Sequence, residues 1–277
     1  MKQQWSLRVT DSPPSFQHPV SQICTQAQFE GPAYAFWCRK IREAPRPHRK
    51  QWEFCYILQA LASLGALAPA NRGLGYGVGQ EPLPAVMASY GCEVLATDLD
   101  PASAQTAGWS QTNQHATSKE ALNARAICDP VEFDGLVSLQ NVDMKDIPHD
   151  LKNFDFTWSA CALEHLGSLD EGCKFIERTL TTLRPGGIAI HTTELNCSSD
   201  DETIEHGGTV LFRRKDIIAL CQRLAAQGHE MTLNLNMGNL PLDHYVDHPP
   251  YNPDKHLKLR LEEFVTTSIG LIVRVAY

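Results

Sequence analysis

The sequence predicts an α/β protein built on a doubly wound, mostly parallel sheet, and three observations predict it. Residues 73–100, GLGYGVGQEPLPAVMASYGCEVLATDLD, read as a strand, a glycine turn, a helix and a second strand that ends in an acid. Apolar, β-branched runs then recur at LVSL, FDFTWS and IAIHTT, separated by helical or polar stretches. The polar residues suited to holding a ligand fall where those strands end, which is where open parallel sheets bind.

In the first of these stretches Gly75, Gly77 and Gly79 alternate, which lets the backbone turn sharply and approach a ligand closely. Pro82 and Pro84 suit the first turn of the following helix, and Gly91 suits its stop. Val94, Leu95 and Ala96 form a buried strand, and Asp98 follows about 20 residues after the glycines, where a carboxylate can accept both hydroxyls of a ribose. A dinucleotide is disfavoured, because G-x-G-x-x-G needs glycine at Val78 counting from Gly73 and at Gln80 counting from Gly75. A phosphate-binding loop is disfavoured too, because the chain has no Gly-Lys pair.

What remains, G-x-G-x-G followed by an acid closing the second strand, resembles the cofactor site of class I S-adenosylmethionine (SAM) methyltransferases. The resemblance covers about residues 70–195. It implies a Rossmann-like, seven-stranded sheet with an antiparallel last strand, an N-terminal helical cap, and SAM as cofactor. Gly75, Tyr76, Gly77 and Gly79 then surround the cofactor and Asp98 takes its ribose. Family members carry an acid at the place of Gly73 to hold the methionine amino group, and Glu81 is the candidate replacement. By the same resemblance Asp143 takes the adenine amino group, the backbone N–H of Met144 meets the ring, and the backbone at Ser159 holds the amino group. The LRPGG turn before the fifth strand is also common in that family.

The flanking elements follow in order. The first 30 or so residues, with Pro13, Pro14 and Pro19, read as an irregular arm. A helix carrying Phe54, Ile57, Leu58, Leu61 and Leu64 follows two prolines and ends near Gly65. Residues 1–54 are read as arm and helical cap, and 55–277 as the SAM-binding catalytic domain with a lid insertion near 238–262. Asp100 and Pro101 can cap a short helix, and a polar helix is expected from about Trp109 to Ala126. Ser168 and Glu171 form a capping box for a helix that turns Phe175, Ile176, Leu180 and Leu183 inward. RRKDIIALCQRLAA is a further helix, MTLN a sixth strand and FVTTSIGLIVRVAY the last.

With 277 residues, 43% hydrophobic and 20% charged, the composition is that of a soluble globular chain. A net charge of -8 without a basic stripe argues against nucleic acid. Nine cysteines, odd in number and without C-x-x-C, argue for reduced thiols and a cytoplasmic protein. No signal peptide or membrane span is read from the chain, and a homo-oligomer is left open.

For chemistry, methyl transfer needs an aligned nucleophile and often a base. His165, His191 and Glu194 are the candidate bases, each with a bland alternative as a helix-start, core or arm-binding residue. Arg49, Trp52, His244 and Tyr245 are the candidate substrate contacts. His191, Glu194, His244, Asp247 and His248 include enough ligand types for a divalent ion, their convergence is left open by their separation in the chain, and no metal is assigned. The expected function is methyl transfer to a small-molecule acceptor, a sugar or secondary metabolite. The alternatives are a cyclase or lyase releasing methylthioadenosine and a binding module without turnover.

Overall fold

The computed structural model describes residues 7–100 and 118–277. Among them the strands are β1 Arg8–Thr10, β2 Ser21–Ile23, β3 Arg72–Tyr76, β4 Glu93–Asp98, β5 Val137–Asn141, β6 Phe154–Ala160, β7 Leu183–Asn196, β8 Thr232–Asn234, β9 Leu259–Leu261 and β10 Phe264–Arg274. The helices are α1 Pro32–Lys40, α2 Arg49–Ser63, α3 Leu83–Ser89, α4 Pro130–Leu136, α5 Leu169–Leu180, α6 Arg214–Ala226 and α7 Pro241–His244. The sheet order is β1-β8-β2-β10-β7-β6-β3-β4-β5, with β9 on β10. Strands β5, β4, β3, β6 and β7 run parallel, and β10 is antiparallel to β7. Strand β3 lies between β4 and β6, so the order reverses there and a crevice opens at its carboxyl end.

The sheet has more strands than seven. Removing β1, β2 and β9 leaves the seven expected ones, and two of the three extra strands come from the arm. Instead of lying irregularly over the domain, Ser21–Ile23 is inserted between β8 and β10, pairing Ile23 with Ile269 and Ser21 with Leu233. Gln22 secures it by donating its amide to the Ser15 carbonyl at 2.9 Å. Residue 54, the expected boundary, falls within α2. Phe16, Tyr34, Trp37 and Trp52 share one core with Val86, Phe156 and Ile188, so arm, cap and sheet fold as one unit.

A second core on the other face holds Leu74, Tyr76, Phe175, Leu220 and Leu271 beneath α5 and α6. Ser168 Oγ accepts the Glu171 N–H at 3.2 Å and starts α5 as expected. LRPGG is not a separate turn. It lies within β7, where Phe154 pairs with Leu183 and Phe156 with Ile188, so residues 184–187 bulge out of the ladder. The helix expected to reach Ala126 is, in its described part, only a short 3-10 turn at Glu120–Asn123, while its start and Pro101 lie outside the described residues.

Alternation along β3 explains two of the glycines. Leu74 and Tyr76 point into the α5 core, so Gly73 and Gly75 face α2 and α3. A Cβ on Gly73 would stand 2.4 Å from the Phe156 ring, and one on Gly75 would stand 2.3 Å from Trp158 Cζ2. These positions are glycine because neighbouring aromatic rings of β6 lie flat over them. The place of the expected acid at Gly73 is filled by Phe156.

Candidate active site

The chain leaves β3 through Gly77 and Gly79, both at positive φ, +57° and +50°. A Cβ on Gly77 would come within 3.0 Å of Ala162 Cβ and 3.2 Å of Met144 Sδ, so the turn closes against the loops after β5 and β6. Gly79 N–H donates to Asp98 Oδ2 at 3.0 Å and Leu99 N–H to Oδ1 at 2.8 Å, which fixes this half-buried carboxylate at the end of β4. Glu81, just past the turn, accepts the Trp158 indole N–H at 2.5 Å. Burial pushes its carboxyl well above the usual range, against the pull of that N–H, and the charges of Asp98 and Glu53 add to the rise. Gly77, Gly79, Glu81 and Asp98 therefore meet at one strand end, a cradle whose turn has no room for a side chain at Gly77 beside Ala162 and Met144.

Other expected cofactor residues are placed differently. Tyr76 is fully buried on the opposite face, edge-on to Phe175 with centroids 5.3 Å apart, so its ring belongs to the core. Asp143 is exposed and accepts the Lys145 N–H at 2.8 Å, capping its own turn at the end of β5. Met144 packs its side chain beneath the glycine turn. Ser159 is buried and its hydroxyl meets His191 Nδ1 at 2.8 Å, while His191 Nε2 lies 3.1 Å from Thr179 Oγ1. With both ring nitrogens engaged, His191 is a neutral core residue whose pKa burial lowers to about 3. It faces α5, away from the cradle, which removes it as a base. Trp52 is likewise buried, stacked on Tyr56 at 4.7 Å and donating to Gln28 Oε1 at 2.9 Å, and so makes no substrate contact.

Where α2 crosses the ends of β6, β7 and β10, the structure assembles a buried charged cluster. Arg49 pairs with Glu194 and lies 3.5 Å from Glu53 one helical turn on, and Lys50 Nζ lies 3.7 Å from Glu53. Glu53 also accepts from Ser268 Oγ at 2.5 Å, Cys161 Sγ at 3.1 Å and Thr192 Oγ1 at 3.3 Å. Glu194 accepts from Thr266 Oγ1 at 2.9 Å, and Glu164 from Thr193 Oγ1 at 3.2 Å. Cys161 holds φ at 49°, a left-handed conformation rare without glycine, which aims its thiol into the cluster. Burial first, then Glu164 and Glu53, push that thiol well above its ordinary pKa. Sequence reasoning found Arg49 and Glu194 but missed Glu53, Cys161 and Glu164. The i, i+4 spacing of Arg49 and Glu53, and the place of Cys161 directly after a strand, were the available signals.

His165 is about one quarter exposed beside this cluster. Its Nδ1 lies 2.7 Å from the Gly208 carbonyl, so in the neutral ring Nδ1 carries the proton and Nε2 is the basic nitrogen. The 238–262 insertion reaches the same region from above. Asp243 accepts the Gln26 N–H at 2.7 Å, His256 pairs with Asp247 at 2.7 Å, and the His256 carbonyl accepts the Arg49 N–H at 3.0 Å. The insertion is thus tied to the start of α2, while His244 and Tyr245 stand exposed on its outer side. The histidines of the insertion do not converge with His191 and Glu194. Among the described residues, the group within metal-ligand distance is Cys161, Glu164 and Glu194.

Residues 74–191 match the family model described as a methyltransferase domain. No curated protein is significantly similar in sequence. Among solved structures, the chain resembles magnesium protoporphyrin IX methyltransferase from Synechocystis PCC 6803 (12% identity, 90% of this chain and 96% of that one, TM-score 0.46). It also resembles a 1,6-didemethyltoxoflavin-N1-methyltransferase from Burkholderia thailandensis (17%, 83% and 79%, 0.44). A third is phosphoethanolamine N-methyltransferase 2 from Haemonchus contortus (18%, 69% and 40%, 0.43). The chain spans between 40% and 56% of three of the structures it matches, the Haemonchus enzyme among them. Residues 74–191 thus match a methyltransferase domain, and the reversal point at β3, the Gly77 turn and the acid closing β4 all lie within that segment.

Proposed function

We propose that the chain transfers a methyl group from SAM to a small-molecule acceptor, a sugar or secondary metabolite. The observation that carries this reading is geometric. Gly79 and Leu99 hold the Asp98 carboxylate at the end of β4, and Trp158 holds Glu81 just past the same glycine turn. Bound there, SAM supplies a sulfonium methyl that needs only a well-placed nucleophile. Asp98 holds the ribose hydroxyls, Gly77 gives way to the methionine portion, and Glu81 replaces the acid missing at Gly73. Asp143 and Met144 flank the adenine, and the backbone at Ser159 borders the amino group.

On the acceptor side, Arg49, Glu53 and Glu194 offer a polar floor that hydroxyl and amine groups can reach through the half-exposed Lys50. His165 takes the acceptor proton at Nε2, its ring held by the Gly208 carbonyl. The insertion, with His244 and Tyr245, forms the outer wall. Nine free thiols suit a cytoplasmic location, and the net charge of -8 suits a small acceptor rather than nucleic acid. No described helix is long and apolar enough to cross a membrane. The test is incubation with SAM and a panel of sugar and amine acceptors, read by mass spectrometry. S-adenosylhomocysteine with a methylated acceptor supports the proposal, and methylthioadenosine overturns it in favour of a cyclase or lyase.

A further inference from the structure

We infer that Cys161, Glu164 and Glu194 form a divalent-metal site, with zinc as the best fit. One ligand atom from each lies within 4.8 Å of the others, and all three residues are buried. A tetrahedral zinc with one sulfur and two oxygen ligands holds them about 3.5 Å apart. Side-chain rotation closes that difference, since Cys161 Sγ and Glu194 Oε1 are already 3.9 Å apart.

The independent sign of a missing cation is Glu164. The residue is wholly buried, Oε2 accepts only from Thr193 Oγ1, and Oε1 has no hydrogen-bond partner. His165 Nε2 stands 4.0 Å from that oxygen, beyond hydrogen-bonding reach. The cluster holds three carboxylates, Glu53, Glu164 and Glu194, against two cations, Arg49 and Lys50, and both cations pair with Glu53 or Glu194. A buried carboxyl oxygen without a hydrogen-bond partner is unfavourable in such a place. A divalent ion between Glu164 and Cys161 offsets it and favours the thiolate that burial otherwise suppresses.

The ligand types choose the metal: one thiolate with two carboxylates excludes magnesium and calcium and suits zinc. Three protein ligands leave a fourth position open, the arrangement of zinc sites that bind and polarise a reacting oxygen. Zinc takes over from Arg49 one oxygen of Glu194 and the Cys161 sulfur, to which Arg49 now donates at 3.7 Å, and Arg49 keeps its pairing with Glu53. The site stands on its own residues, whatever reaction the neighbouring cradle supports.

The test uses the full chain, stripped with chelator and dialysed against zinc or cobalt(II). The inference expects about one equivalent of zinc per chain by elemental analysis, and a sulfur-to-cobalt charge-transfer band in the near ultraviolet. Cys161→Ser should remove that band, and Glu164→Gln should weaken zinc binding by about tenfold or more, with circular dichroism unchanged. Failure of the wild type to retain metal overturns the inference. So does an unaltered cobalt band in Cys161→Ser, which would assign the metal to another of the nine cysteines.

Discussion

The indole N–H of Trp158 donates to Glu81 Oε1 at 2.5 Å, with both residues buried where β6 passes beside the glycine turn. The same indole lies over Gly75, so one side chain both requires that glycine and holds the acid that follows the turn. Trp158→Phe keeps the packing but strips a buried carboxyl of its donor. It is expected to lower stability by about 1–3 kcal/mol, measured by urea unfolding. Unchanged stability would show that Glu81 finds another partner at no cost.

Two glycines of one motif are expected to fail in different ways. Gly75→Ala drives a methyl into the Trp158 ring and should cost roughly 1–3 kcal/mol of stability through overpacking. Gly77→Val enters the cradle and, at φ +57°, also strains the backbone, so it should abolish SAM binding in calorimetric titration. Normal SAM affinity in a folded Gly77→Val protein would mean that the turn does not face the ligand.

Stability should fall in acid through His191. Its pKa is about 3 in the fold against an ordinary 6.5, so below pH 6.5 the unfolded chain binds the extra proton and stability drops until about pH 3. Between pH 6.5 and 4.5 this amounts to about 2 kcal/mol. His191→Gln, which cannot titrate, should be less stable at neutral pH yet show a shallower loss between those two values. An identical slope in both proteins would assign the acid sensitivity to other groups, such as His48, whose pKa burial and the nearby His256 also lower to about 3.

His165 is expected to act on the rate and not on the cofactor. His165→Gln should lower kcat by about 100-fold or more, with SAM affinity unchanged. Equal kcat in the variant would move the proton to another acceptor.

The parts of this arrangement written in local pattern were legible in the sequence. Gly77, Pro82, Pro84 and Asp98 occupy the turn, helix start and strand end that their residue types demand. Gly75 was recognised, but its reason was not, because the ring that covers it comes from a strand 83 residues later. Residues 21–23 are too few to show a period, so their insertion into the sheet left no trace in the arm. The charged cluster was half visible for a similar reason. Arg49 and Glu194 stand out as polar residues in apolar elements, whereas Glu53, Cys161 and Glu164 acquire meaning only when α2 lies across β6, β7 and β10.

The cofactor is expected to lie across the ends of β3 and β4 and to meet the α2 cluster at Glu81. The most direct measurement is a crystal structure of the chain with S-adenosylhomocysteine. The account predicts ribose hydroxyls on the Asp98 carboxylate, with the amino-acid end passing Gly77 toward Glu81 and Lys50. A ligand bound elsewhere, making no contact with Asp98, would contradict it.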